Sequence, residues 1–203
     1  MITIVDYSVG NLFSLVSSFR AIGCEVKVSK EPEEIWNAGR IILPGVGAFR
    51  DAKLKLDESG LEEILLEKAK AGNPIMGVCL GMQMLFDKSY EYGTWDGLGL
   101  IEGEIRPISD FVPEGLKIPH MGWNELQFQG NRHPLFKYIK EGDDVYFVHS
   151  YSAVNCDEHI IATSEYGGNV TAAVAKDNVL GCQFHPEKSG TVGLKILKAF
   201  NEF

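Results

Sequence analysis

The strongest constraint on the fold of this chain is a change of hydrophobic period that repeats through its first half. ITIV at 2–5, EVKV at 25–28, RIIL at 40–43 and PIMGV at 74–78 are short apolar or alternating runs that read as strands. Between them Leu12, Leu15, Val16, Phe19 and Ile22 recur at helical spacing, as do Leu61, Ile64 and Leu65 ahead of Gly72. Apolar strands alternating with amphipathic helices bury both of their faces most readily in a mostly parallel sheet with helices on each side. The second half is built differently. GEIRPI, NELQF, DVYFVHSY, HIIATSEY, NVTAAVAK and NVLGCQF follow one another with turn residues between them, which predicts an antiparallel extension of the sheet. From about Gly190, the residues Val192, Ile196, Leu197 and Phe200 share one face of a closing helix. No repeat or low-complexity linker interrupts the 203 residues, so one α/β domain spanning 1–203 is expected.

Composition excludes several classes of function. The formal net charge is -9 and the basic residues are dispersed, which argues against a nucleic-acid partner. MITIVDYSVGN has no basic region ahead of an apolar run, and no stretch approaches the roughly eighteen apolar residues of a membrane span. A cytosolic location is therefore expected. Cys24, Cys79, Cys156 and Cys182 are too widely spaced for a zinc motif and too few for a disulfide scaffold, so no metal and no organic cofactor is expected.

Cys79 alone among the cysteines stands between an apolar strand ending at Val78 and an apolar helical segment, Leu80 to Phe86. Gly77 and Gly81 flank it two residues away on either side, the spacing of a nucleophile elbow, in which small residues permit a tight turn. Backbone N–H groups at a helix start favour thiolate over thiol. On GVCLG alone, a small buried apolar cysteine fits equally well.

A second cluster, GCQFHPEKSG, lies near the end of the chain. In an extended strand Gly181, Gln183 and His185 share one face and Cys182 and Phe184 the other, which assigns Cys182 to the core. Pro186 biases His185 toward an extended backbone, so that His185 and Glu187 point the same way. A carboxylate beside an imidazole fixes its tautomer and supports the imidazolium, as a thiol nucleophile requires. His149, in DVYFVHSY, is the competing base, although it has no acidic residue two positions away. A third cluster, LPGVGAF at 43–49, follows RIIL and opens a predicted helix at Ala48; its glycines can turn backbone N–H groups toward a developing oxyanion. An ordinary strand-to-helix connection or a weak phosphate cradle also fits this loop, which lacks the lysine of a P-loop.

Taken in order along nearly the whole chain, these clusters resemble the class I (triad) glutamine amidotransferases, with MGVCLGMQ and QFHPEKSG the most specific segments. The resemblance implies a flavodoxin-like three-layer sandwich and a triad of Cys79, His185 and Glu187. It further implies oxyanion N–H groups from Val46 and Leu80, and a glutamine site made by Gly47, Gln83, Ser150 and Tyr151. DYSVGN, LPGVGAF, IPHMGWN at 118–124 and YFVHSY at 146–151 look like those members of the family that pass ammonia to a beta/alpha-barrel cyclase. A heterodimer follows from that likeness, with Trp123, Tyr146 and Lys188 facing the cyclase and imidazole glycerol phosphate, an intermediate of histidine biosynthesis, as a product. A related synthase, a free-standing gamma-glutamyl hydrolase and a noncatalytic scaffold remain open alternatives. The last is disfavoured by the intact triad.

Overall fold

The computed structural model describes residues 1–203. The strands, in chain order, are β1 (Ile2–Val5), β2 (Val26–Ser29), β3 (Arg40–Leu43), β4 (Ile75–Val78), β5 (Phe86–Ser89), β6 (Trp95–Asp96) and β7 (Ile101–Pro107). They continue with β8 (His120–Glu125), β9 (Gln127–Phe128), β10 (Asp144–His149), β11 (Tyr151–Val154), β12 (Ile160–Glu165), β13 (Asn169–Lys176) and β14 (Val179–Cys182). The helices are α1 (Leu12–Ala21), α2 (Pro32–Trp36), α3 (Phe49–Ser59), α4 (Glu62–Lys70), α5 (Leu80–Gln83) and α6 (Gly190–Phe200).

An eight-stranded sheet runs β2-β1-β3-β4-β14-β13-β12-β9. Its first five strands are mutually parallel, and the β14/β13, β13/β12 and β12/β9 pairs are antiparallel. Side-chain alternation assigns each strand residue to one of two cores. Ile41, Leu43 and Ile75 pack toward α3 and α4 with Leu56 and Leu65, whereas Ile42, Met76 and Val78 pack toward α1 and α6 with Leu15, Phe19, Ile196 and Phe200. Full burial of such side chains stabilises a fold by roughly 1.5–3 kcal/mol each. The result is the expected three-layer α/β sandwich.

Two expectations need correction. GEIRPI and DVYFVHSY do not extend the main sheet: β7 joins β11, β5 and β6 in a four-stranded sheet, and β10 pairs with β8 in a two-stranded one. The helix after Cys79 stops at Gln83 instead of reaching Phe86, which begins β5. The carbonyls just past its end are captured from elsewhere in the chain, since Met84 O accepts from Leu98 N–H and Leu85 O accepts from Leu100 N–H and Ile101 N–H. No helix is long and apolar enough to cross a membrane.

Candidate active site

The loops after β3 and β4 meet beyond the C-terminal ends of their strands, where open parallel sheets bind ligands. Their contact is backbone against backbone. A methyl group on Gly81 would lie 1.9 Å from the Leu43 carbonyl oxygen, and one on Gly45 would lie 2.4 Å from the Gly81 nitrogen. Gly77 is equally confined, 2.5 Å from the Gly81 carbonyl oxygen by the same measure. The glycines therefore let the chain reverse at Cys79, which adopts φ 54° and ψ −111°. A non-glycine residue at positive φ stores about 1–3 kcal/mol of strain and persists only where its surroundings enforce it. Here the bond from Cys79 N–H to the Cys182 carbonyl, 2.8 Å, fixes the entry to the turn.

Cys79 opens onto a cavity of about 460 Å³ shared by Val46, Gly47, Leu80, Gln83, Ser150 and Tyr151. His185 and Lys188 line the same cavity, together with Glu91 and His149. Glu187 stands behind His185, its Oε1 2.8 Å from Nδ1, with both side chains almost wholly buried. Glu187 Oε2 is buried without a partner, so this carboxylate's only hydrogen bond is the one it accepts from the imidazole Nδ1–H. The His185 main chain is clamped to β10 by its N–H to the Tyr146 carbonyl at 2.9 Å. Ser189 reinforces the clamp: its hydroxyl donates to the His185 carbonyl at 2.7 Å and accepts from Tyr146 N–H at 3.0 Å.

Burial alone would lower the proton affinity of His185, but interactions with the Cys79 sulfur and with Glu187 outweigh it and raise the ring from 6.5 to about 9. The imidazole therefore carries its second proton at neutral pH, opposite sulfur. A proton held more tightly in the folded than in the unfolded chain stabilises the fold. That contribution is complete below pH 6.5 and disappears as pH rises through about 9. The urea midpoint of the wild type relative to His185→Gln should accordingly decline across this interval, and a constant difference would contradict the ion-pair arrangement.

His149 differs from His185 in each respect. It is buried, its Nδ1–H donates to the Tyr151 carbonyl at 2.7 Å, and Nε2 meets His120 Nδ1 at 3.0 Å. Burial pushes it down to about 3, so the ring is neutral and both of its nitrogens are occupied. It orients backbone and has no free nitrogen to receive a proton from Cys79.

Trp123 and Tyr146 lie outside the cavity, as cross-strand neighbours on β8 and β10. Their rings meet edge to face at 5.9 Å, and the Lys188 ammonium lies 5.8 Å from the centre of the Tyr146 ring. Trp123 is 54% exposed, Met121 63% and Ile118 42%, which leaves an apolar surface beside the cavity mouth. Three residues at the site escaped the sequence reading of chemistry. Gln183 contacts Cys79, Glu91 places a carboxylate in the cavity wall while accepting Phe49 N–H at 2.7 Å, and His120 supports His149. Gln183 was legible as a face-mate of His185, whereas the loop position of Glu91 carries no motif.

A strained cysteine, an imidazolium facing it and a buried carboxylate holding the ring are the parts of a cysteine-dependent acyl-transfer site. The sequence matches the family model described as glutamine amidotransferase class-I over residues 3–202, and the chain belongs to that family. Among curated relatives, it is 50% identical to imidazole glycerol phosphate synthase subunit HisH of Lactococcus lactis subsp. lactis (strain IL1403), covering 99% of this chain and 98% of that protein. Subunit HisH of Wolinella succinogenes is 48% identical, over 100% of this chain and 99% of the relative. Solved structures share the fold at lower identity. A crystal structure of a glutamine amidotransferase superposes with a TM-score of 0.76 at 19% identity, covering 100% of this chain and 98% of that one. PurLQS from Thermotoga maritima gives 0.72 at 20% identity, covering 99% and 97%.

Proposed function

We propose that this chain is the glutaminase subunit of an imidazole glycerol phosphate synthase, with Cys79, His185 and Glu187 as its catalytic triad. The observation that carries the reading is the cavity that brings Cys79 and His185 together with polar groups suited to glutamine. Similarity to HisH subunits along the whole chain supports the choice of synthase.

The Cys79 thiolate attacks the side-chain amide carbon of glutamine, and the oxygen becomes anionic beside the Val46 and Leu80 backbone. Collapse of this intermediate breaks the C–N bond as His185 gives its proton to the departing nitrogen, so ammonia leaves and a thioester remains. The now neutral His185 takes a proton from water, whose hydroxide attacks the thioester. Glutamate departs and the thiolate–imidazolium pair is restored. Glu187 steadies the ring in both charge states. Gly47, Ser150 and Tyr151 bound the amino-acid end of the substrate, where the Glu91 carboxylate suits its ammonium group. Gln83 contributes mainly its carbonyl, because its amide nitrogen donates to the Tyr151 carbonyl at 3.2 Å and to Gln183 Oε1 at 3.0 Å.

The partner in this reading is a beta/alpha-barrel cyclase that docks as a heterodimer on the surface of Trp123, Tyr146 and Lys188 and receives the ammonia in the cytosol. Glutamate release should be slow for the isolated chain and rise on the order of 10²–10³-fold with ligand-loaded cyclase, the effect of one oxyanion donor moving into place. Glutamate production measured with and without such a cyclase and its nucleotide ligand tests this. An unchanged rate in a verified complex would point to a different synthase.

A further inference from the structure

Beyond the triad, the nucleophile has a second polar neighbour. Gln183 is fully buried directly after β14, and its amide nitrogen lies 3.7 Å from Cys79 Sγ, a normal N–H···S separation. The direction of this contact is set several residues away. The Tyr151 carbonyl can only accept, so the amide group lying 3.2 Å from it must be the NH2 of Gln83. The same NH2 meets Gln183 at 3.0 Å, and Gln183 must answer with its oxygen. The remaining end of Gln183, its NH2, is thereby turned toward sulfur. His149 anchors the start of the chain by donating to the same Tyr151 carbonyl. Reversing either amide would place oxygen against oxygen or nitrogen against nitrogen in a buried site, where unmatched polar groups are costly.

We propose that Gln183 is a positioning residue for the nucleophile: Gln83 and the Tyr151 carbonyl orient its amide so that an N–H is held on Cys79 sulfur, favouring an oriented thiolate. A thiolate only accepts hydrogen bonds, and donors to a charged acceptor are among the stronger ones. His185 lines the cavity with Cys79, and the Gln183 amide adds a second polar group at the sulfur. The role rests on the glutaminase reading for its purpose, but not for its detection.

The test is alkylation of Cys79 by iodoacetamide in the full chain as a function of pH. Peptide mapping separates Cys79 from the partly exposed Cys24, and Cys79→Ser supplies the blank. Gln183→Met removes the donor, and Gln183→Glu keeps an acceptor for Gln83 but sets negative charge against sulfur. Alkylation near neutral pH should slow about tenfold in Gln183→Met and further in Gln183→Glu, with the pH of half-maximal rate displaced upward in both. In glutamine hydrolysis kcat should fall in step while KM changes less than about twofold, a split that loss of a merely structural contact would not produce. Unchanged alkylation profiles in variants with a native near-ultraviolet circular dichroism spectrum would overturn the proposal. If Gln183→Met does not fold, Gln183→Glu decides by the same readout. Alkylation needs neither glutamine nor partner, so an unchanged profile in an active glutaminase defeats this inference alone. A chain inactive on glutamine would still report on Gln183.

Discussion

Glutamate release from glutamine should fall about 10⁴-fold or more in Cys79→Ala, to the floor of the assay, even with the partner cyclase present. Alanine preserves the size class of the residue and the backbone bond from position 79 to the Cys182 carbonyl, so the loss would be chemical. Without sulfur there is no atom on which the acyl group can be held, and the other cysteines cannot substitute. Cys182 is buried on the opposite face of its strand, with its thiol held against the Gly77 carbonyl at 3.8 Å, and Cys156 is buried with its thiol pushed up to about 12. Binding of glutamine by the variant should survive, because the cavity wall is otherwise intact. Retained turnover in Cys79→Ala would sink the nucleophile assignment.

Gly81→Ala should damage the fold and the site together. Its methyl group would sit 1.9 Å from a backbone carbonyl oxygen of β3, a clash that no rotamer can relieve, so separation of the loops after β3 and β4 is the only escape. A cost of about 3 kcal/mol or more is expected, against a total stability of roughly 5–15 kcal/mol for a domain of ordinary size. The comparison is Gly60→Ala, at the left-handed C-cap of α3, where nothing lies within 4 Å of the added methyl. That change should cost only the conformational penalty of about 1–2 kcal/mol. Urea titrations of both variants check the ranking, and equal midpoints would show that the elbow yields more easily than its backbone contacts imply. Cys79 alkylation should also slow in Gly81→Ala and not in Gly60→Ala.

Much of this architecture was legible because the parallel half of the sheet follows local rules. ITIV, RIIL and PIMGV are buried on both faces and read as continuous apolar strands, while α1 and α6 carry their contacts at helical spacing. Alternation says nothing about which strand is the neighbour. GEIRPI and DVYFVHSY were thus recognisable as strands, yet assigned to the wrong sheet. The run Leu80 to Phe86 reads as helix on its own composition, and only hydrogen bonds from Leu98, Leu100 and Ile101 turn its second half away. Within the site, GVCLG and QFHPEK carried their geometry in their spacing. Glu91 did not, since its place in the cavity wall depends on the Phe49 N–H, 42 residues away in the chain.

Gly45 and Gly47 stand two residues apart in PGVG and live under opposite conditions. Gly45 is wedged against Gly81, whereas Gly47, at φ 91°, has nothing within 4 Å of where a side chain would begin. The loop therefore has a welded root and an open tip. Any rearrangement of Val46 must pivot beyond Gly45, over the span of a single peptide unit or two, while Cys79 stays where the weld holds it. In the proposed function, where Val46 supplies an oxyanion N–H, this arrangement would let that donor move without disturbing Cys79. That independence is what an enzyme needs if it is to stay silent until a neighbour is ready for its ammonia.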